Sequence, residues 1–156
     1  MQIFLKIDGI VGEAQHVKHK NEIAVESYSW SEAAAPSPGG GTGLAAGKVQ
    51  MQGFSVSMKA SKASPKLFLA VATGQHFKTA VLSVLAAPSS PFDFLTWTLS
   101  DVTVIDFRTA GSPDAILDSI TLAFTKIQVK YREQTPSGGP GAEVKAGWDL
   151  VKNQSI

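Results

Sequence analysis

Apolar residues alternate with polar residues along most of this chain, which is the two-residue period of a β-strand. The longest alternating stretch covers residues 116–131, and another covers residues 22–31. The apolar positions change parity near Glu26, at Gly53 and near Thr125. In a flat sheet with one solvent-exposed face, the apolar residues of a strand keep one parity, because a shift of one residue turns every side chain to the other face. We therefore expect a strongly bent sheet or a small barrel, with a β-bulge near Glu26.

One α-helix is predicted, at about residues 65–73. Ser64 can accept hydrogen bonds from the first free amides, Pro65 suits the first turn, and Gly74 permits a left-handed end. Further strands are expected at residues 3–8, 77–85 and 94–107, separated by turns that contain proline or glycine.

Length and composition limit the possible classes of protein. The chain has 156 residues, which suits one domain over residues 1–156 with one hydrophobic core. Cysteine is absent, which excludes disulfides and thiolate metal sites. The net charge is +1 without a block of like charge, so a dedicated nucleic-acid surface is not expected. We also expect no signal peptide and no membrane-spanning helix, because the apolar stretches are far shorter than ~20 residues.

Residues 33–47 are rich in alanine, proline and glycine and carry no charge. We expect them to form a long excursion between strands, since they cannot build a core of their own. Loops longer than ~12–15 residues are usually functional or disordered. We favour a functional loop, and a disordered insert is the alternative.

The glycine-rich segment is not a phosphate-binding loop. Counting back from Gly47 and Lys48 places Thr42 where the motif requires its first glycine, and Val49 where it requires a hydroxyl. His16 and His19 are three residues apart in a polar turn, and we expect solvated histidines rather than a zinc pair. 

The remaining ionisable residues also have ordinary explanations. An interaction with the C-terminus of the helix accounts for His76. Asp114 and Asp118 are expected to be solubilising residues or partners for lysines on an adjacent subunit. No serine lies in a Gly-x-Ser-x-Gly motif. We therefore expect no enzyme activity, no catalytic residue, no metal site and no cofactor.

Several segments, taken together in order and spacing, are similar to one bacterial family. They are the opening residues 4–13, Tyr28-Ser29-Trp30, Gly47-Lys48-Val49, Ser64-Pro65-Lys66-Leu67, residues 72–77 and Gly147-Trp148-Asp149. No single segment is decisive, but the series covers nearly the whole chain. In the order and spacing of these segments, the chain resembles the haemolysin-coregulated protein (Hcp) family of type VI secretion.

The resemblance implies a mainly β, phage tail-tube-like fold, in which a β-barrel of two sheets carries one flanking α-helix. It also implies hexameric rings that stack into the inner tube of the type VI secretion system, carry effectors in the lumen and are expelled by sheath contraction. The implied partners are a valine-glycine repeat spike protein, the contractile sheath and baseplate, and effector proteins, without nucleic acid or membrane insertion. The implied location is the cytoplasm during assembly and the exterior after secretion.

The resemblance also identifies candidate contact residues. In the family a long loop between early strands reaches the neighbouring ring, and the matching residues are Ala35, Pro36, Gly39, Gly40, Gly41, Thr42, Gly43 and Leu44. We expect Tyr28 and Trp30 to point into the packed layer. Alternation then turns Ser27 and Ser29 the other way, towards the ring lumen and its cargo.

Two alternatives remain at this point. The first is a monomeric β-barrel that binds a ligand and uses the glycine-rich loop as a lid. The second is a hydrolase on a β scaffold, with His76 as the general base.

Overall fold

A computed structural model describes the backbone of residues 1–37 and 45–156 and the side-chain environments of residues 1–34 and 48–156. The described part of the chain contains one helix and a series of strands, which in order are β1 (Gln2–Ile7), β2 (Ile23–Ser29), β3 (Glu32–Ser37), β4 (Ala45–Met51), β5 (Phe54–Lys59), α1 (Ser64–Thr73), β6 (His76–Leu85), β7 (Leu95–Gly111), β8 (Ile116–Ala123), β9 (Lys126–Gln134), β10 (Pro140–Asp149) and β11 (Gln154–Ser155).

Six strands close a barrel in the order β1, β2, β5, β8, β7 and β6. Closure depends on the 17-residue strand β7, which pairs with β6 along one edge. Along its other edge β7 pairs first with β9 and then, from Thr103 onwards, with β8. Strands β10 and β11 extend the sheet beyond β9, and β3 and β4 form a separate two-stranded sheet. The prediction of a mainly β barrel with one flanking helix is confirmed.

The barrel interior is filled by alternate residues of its strands, as the two-residue period requires. The largest fully buried side chains in this interior are Leu5, Ile7, Ile23, Phe54, Met58, Leu82, Ile120 and Leu122. Helix α1 packs against β7 and adds Leu67 and Ala70 to the same core. Each buried side chain of this size contributes about 1.5–3 kcal/mol to folding by leaving water.

The predicted bulge at Glu26 is confirmed. Val25 pairs with Met58, but Ser27 pairs with Ser57, so Glu26 is an extra residue in β2. The expected parity changes within strands at Gly53 and near Thr125 are wrong, because both residues lie between strands. At Gly53 the chain passes from the two-stranded sheet into the barrel, and at Thr125 it passes from β8 to β9 along the same edge of β7.

Helix α1 ends as predicted, at Gly74, which has a left-handed backbone with φ of 67°. Its N-terminus differs from the prediction, because Ala63 is the N-cap residue and no side chain caps the helix. The Ser64 hydroxyl instead accepts a hydrogen bond from the Ser61 amide at 3.0 Å and donates one to the carboxylate of Asp118. The helix is thus anchored to β8 by a side chain that the sequence assigned to capping.

The expectation of a strand-free excursion at residues 33–47 is wrong for its two ends. Strands β3 and β4 pair from Glu32 opposite Met51 to Ser37 opposite Ala45, with an irregularity between Ala34 and Pro36. Pairing satisfies backbone N–H and C=O groups whatever the size of the side chains, which allows small residues to form this hairpin. Among the described residues there is no helix with the length and hydrophobicity that crossing a membrane requires.

Candidate functional site

Three adjacent barrel strands, β2, β5 and β8, carry hydroxyl side chains on the side that faces away from the core. They form two cross-strand rows, Ser27-Ser57-Ser119 and Ser29-Ser55-Thr121. Hydroxyl oxygens of Ser57 and Ser119 are 3.1 Å apart, and those of Ser55 and Thr121 are 3.5 Å apart. We call these six residues the hydroxyl face. It can both donate and accept hydrogen bonds at every position.

Alternation explains why the hydroxyls share one face. On β5 and β8 the intervening residues, such as Phe54 and Ile120, are buried. On β2 the bulge at Glu26 resets the parity, so that Tyr28 packs against the core and its ring stacks on Phe54 at a centroid distance of 5.6 Å. Ser27 and Ser29 consequently point outward and are exposed, as the sequence indicates. Their contact with cargo stays a prediction.

Strand β7 continues the two rows with a pair of opposite charges. Asp106 lies opposite Thr121, and Arg108 lies opposite Ser119. The Arg108 Nε atom donates a hydrogen bond to Asp106 Oδ2 at 3.0 Å. A bulge at Ile105, which the sequence did not reveal, gives both side chains this orientation. Because the two charges cancel, the extended face has no net charge.

The hairpin of β3 and β4 is joined to the barrel through tryptophans. Trp30 donates its indole N–H to the Gln52 carbonyl at 2.9 Å, and its ring packs on Trp97 at 5.4 Å. A groove of about 400 Å³ separates the hairpin from β7, β9 and β10. Its wall is mainly apolar and includes Met51, Val129 and Trp148. We call it the tryptophan groove.

The candidate ring-stacking residues lie in or beyond this hairpin. Ala35 and Pro36 belong to β3, and Pro36 pairs with Ala46 of β4. Gly39, Gly40, Gly41, Thr42, Gly43 and Leu44 lie outside the described residues. The role of the whole segment in stacking therefore stays a prediction.

Comparison with known proteins identifies the family. Residues 4–131 match the family described as type VI secretion system effector, Hcp. The protein Hcp1 of Pseudomonas aeruginosa is 33% identical over 157 residues, covering 98% of this chain and 97% of that protein. This chain belongs to the Hcp family.

Solved Hcp structures agree in fold. The crystal structure of Hcp1 from Salmonella typhimurium has a TM-score of 0.83 at 33% identity and covers 99% of this chain and 98% of its own. A structure described as a type six secretion system protein has a TM-score of 0.92 at 27% identity, with 99% of both chains covered. Family membership makes this Hcp protein a structural, secreted protein of type VI secretion and not an enzyme, which removes the hydrolase alternative based on His76.

Four members of the hydroxyl face are absent from the residues predicted for cargo contact, namely Ser55, Ser57, Ser119 and Thr121. Their alternation with buried residues on β5 and β8 is visible in the sequence. What the sequence lacks is the strand order, which places β5 and β8 beside β2.

The two histidines of the β1–β2 connection are not both solvated, so that prediction is wrong for His19. The His19 ring is buried between Glu22 Oε2, 2.7 Å from Nδ1, and Asp93 Oδ1, 2.9 Å from Nε2, and it stacks on Phe4 at 4.8 Å. His16 is half-buried, and its Nε2 lies 2.9 Å from the Pro88 carbonyl. The contacts of His16 with Pro88 and of His19 with Asp93 hold the β1–β2 connection against the β6–β7 connection.

Asp114, Asp118 and His76 differ in their exposure and in their contacts. Asp114 is exposed, as a solubilising residue would be, but Asp118 is buried and accepts the Ser64 hydroxyl, so the surface role predicted for Asp118 is wrong. His76 is exposed, with its Nδ1 3.2 Å from the Thr103 hydroxyl. Within residues 1–37 and 45–156, no group of three or more histidine, aspartate or glutamate side chains is arranged to hold a metal ion.

Proposed function

We propose that this Hcp protein forms hexameric rings that stack into the inner tube of the type VI secretion system. The tube carries effectors in its lumen and is expelled when the sheath contracts. The hydroxyl face lines the lumen and contacts the effectors. The observation that carries this proposal is the pair of uninterrupted hydroxyl rows across β2, β5 and β8.

A neutral hydroxyl surface suits a channel that must hold and release different proteins. A fixed net charge would favour cargo of one sign, and an apolar wall would hold cargo too strongly. Hydroxyl groups exchange hydrogen bonds with protein and with water, so each contact contributes only about 0.5–1.5 kcal/mol. Many weak contacts of this kind give reversible retention.

Ring closure requires two different patches that meet between neighbouring copies. Two sets of exposed apolar residues support such an interface. One set lies on α1 and the first residue of β8 and comprises Phe68, Leu69 and Ile116. The other lies on the C-terminal strands and includes the cross-strand partners Tyr131 and Val144. Burial of both sets between neighbours would provide the apolar area of an obligate interface.

The assembly also needs contacts beyond the ring. Stacking uses the segment that begins in β3 and leads to β4, with Ala35, Pro36, Gly39, Gly40, Gly41, Thr42, Gly43 and Leu44. The remaining partners are the valine-glycine repeat spike protein at the tip, the contractile sheath, the baseplate and the effector proteins. Assembly takes place in the cytoplasm, and expulsion carries the tube outside.

The lumen assignment is tested by a Ser29→Arg variant. A bulky cation on the β2 edge of the hydroxyl face should reduce the amount of effector that copurifies with rings by about tenfold, because it blocks space and adds six charges per ring. Ser89→Arg, at an exposed serine in the β6–β7 connection, is the matched control and should retain effector normally. Normal retention by Ser29→Arg rings would contradict the assignment.

A monomeric ligand-binding barrel is the second candidate, and the tryptophan groove beside the hairpin is the observation that favours it. Light scattering separates the two functions. A hexamer weighs about six times the 16.5 kDa of one chain, whereas the ligand-binding barrel would remain at the mass of one chain.

A further inference from the structure

A cluster of cations lies on the outward face of β9 and β10, on different strands from the hydroxyl face. Lys130 and Lys145 are direct cross-strand partners, and Arg132 lies opposite Glu143 in the next row. The Arg132 Nε atom is 3.0 Å from Glu143 Oε2, and Lys130 Nζ is 4.0 Å from the same oxygen. We call these four residues the basic patch. The basic patch holds three cations and one carboxylate, which pairs with Arg132 and Lys130, so two positive charges are in excess.

This arrangement has a cost in the isolated chain. Like charges directly opposite each other on neighbouring strands destabilise a sheet. A neutral polar residue can occupy the same face, as Gln128 does two residues before Lys130. The pKa of Glu143 is held below its usual value by the hydrogen bond from Arg132 and by the charges of Arg132, Lys130 and Lys145. The local potential is therefore positive, and a negatively charged ligand would relieve the repulsion.

The basic patch borders a polar groove of about 230 Å³. Thr96, Thr98 and Gln128, all half-buried, complete its lining. Thr96 is the cross-strand partner of Lys130, so one row across three strands reads Thr96, Lys130, Lys145. Hydroxyl and amide groups beside paired ammonium groups provide donors for carboxylate oxygens.

We propose that the basic patch is a docking site for an acidic segment of a partner protein. Lys130 and Arg132 are two residues apart on β9, about 7 Å, which is also the spacing of alternate carboxylates along an extended chain. Lys145 lies beside them on the neighbouring strand. The distances between these three cations suit a ligand with two or more carboxylates better than one small anion. The groove lining contains no aromatic ring on which a base could stack, which disfavours single-stranded nucleic acid. Binding at the basic patch does not require ring assembly.

The test uses the full-length protein and a fluorescein-labelled peptide of ten glutamates, with binding followed by fluorescence anisotropy. The Lys130→Gln/Lys145→Gln variant should bind about tenfold more weakly than wild type, and the Glu143→Gln variant should bind about threefold more tightly. Lys62→Gln/Lys66→Gln, which removes two exposed lysines at α1, is the matched control and should bind like wild type. Wild-type binding should weaken as salt is raised from 50 to 300 mM.

Three outcomes would overturn the proposal. The first is an equal loss in the two double variants, or no loss in either. The second is displacement of the peptide by inorganic phosphate at millimolar concentration, which would indicate a small-anion site. The third is equally tight binding of a labelled oligothymidylate, which would indicate attraction to any polyanion. Unchanged melting temperatures of the variants would show that affinity, and not folding, is being measured.

Discussion

Asp118 is a single buried carboxylate that joins the helix to the barrel. It lies on β8 with 1% of its surface exposed and accepts the hydroxyl of Ser64 at the first residue of α1. The same hydroxyl accepts the Ser61 amide at 3.0 Å. The three residues thus connect the β5–α1 turn, the helix and the barrel wall. A buried group of this kind is costly to leave without its partner.

We predict that Asp118→Ala lowers the free energy of unfolding by about 1–3 kcal/mol, because the Ser64 hydroxyl loses its buried acceptor. Asp114→Ala removes an exposed aspartate four residues away and should change stability by less than about 0.5 kcal/mol. Urea denaturation of the two variants beside wild type measures the difference. Equal unfolding midpoints for both variants would contradict the role of Asp118.

Single-residue orientation was predictable where it depended on one strand, and unpredictable where it depended on distant partners. The outward direction of Ser27 and Ser29 follows from alternation within β2 once the bulge at Glu26 is recognised. Asp118 and His19 look like surface residues in the sequence. The partner Ser64 is 54 positions from Asp118, and Asp93 is 74 positions from His19, so only the fold brings them together.

Among the elements, the C-terminal hairpin of β10 and β11 depends on one carboxylate. Asp149 Oδ1 accepts hydrogen bonds from the Val151 and Lys152 amides at 2.9 and 3.0 Å. These bonds, with that from Lys152 the stronger influence, hold the pKa of Asp149 below its usual value. The stabilisation is therefore present above the pKa of the unfolded chain and is lost as pH falls through the lower pKa of the folded state.

We predict that wild type is more stable than Asp149→Asn at pH 7 and that this difference becomes smaller as the pH approaches about 2. Asparagine keeps an acceptor oxygen but has no charge to titrate, so its hydrogen bonds do not strengthen with pH. Glu143 titrates in both proteins and cancels from the comparison. Urea denaturation at several pH values provides the measurement, and a pH-independent difference would contradict the prediction.

Elements with a clear apolar period were predictable, and the hairpin of β3 and β4 was not. Alternation predicted β1, β2, β6 and β7, and glycine predicted the end of α1. Alanine, proline and glycine have weak strand preference, so residues 33–47 did not indicate strands. The pairing of Glu32 with Met51 also depends on tertiary structure, because the chain leaves the barrel at Trp30 and re-enters it at Gly53.

At the scale of the assembly, the segment that connects β3 to β4 should separate ring formation from stacking. We predict that deletion of residues 42–46, which also removes the first two residues of β4, leaves a folded barrel that forms single rings but no tubes, because the contact between rings is lost while the apolar patches of the ring interface remain. Gly43 is within the deletion, and glycine permits close backbone approach that other residues resist. An unchanged melting temperature controls for folding, and tubes of normal length in electron micrographs would contradict the prediction.

The central claim is that this Hcp protein works by associating with copies of itself, and the purified protein tests it most directly. Negative-stain electron microscopy at micromolar concentration, with the mass of the same sample measured by light scattering, should show annular particles at about six times 16.5 kDa. A uniform 16.5 kDa species without annular particles would contradict the account.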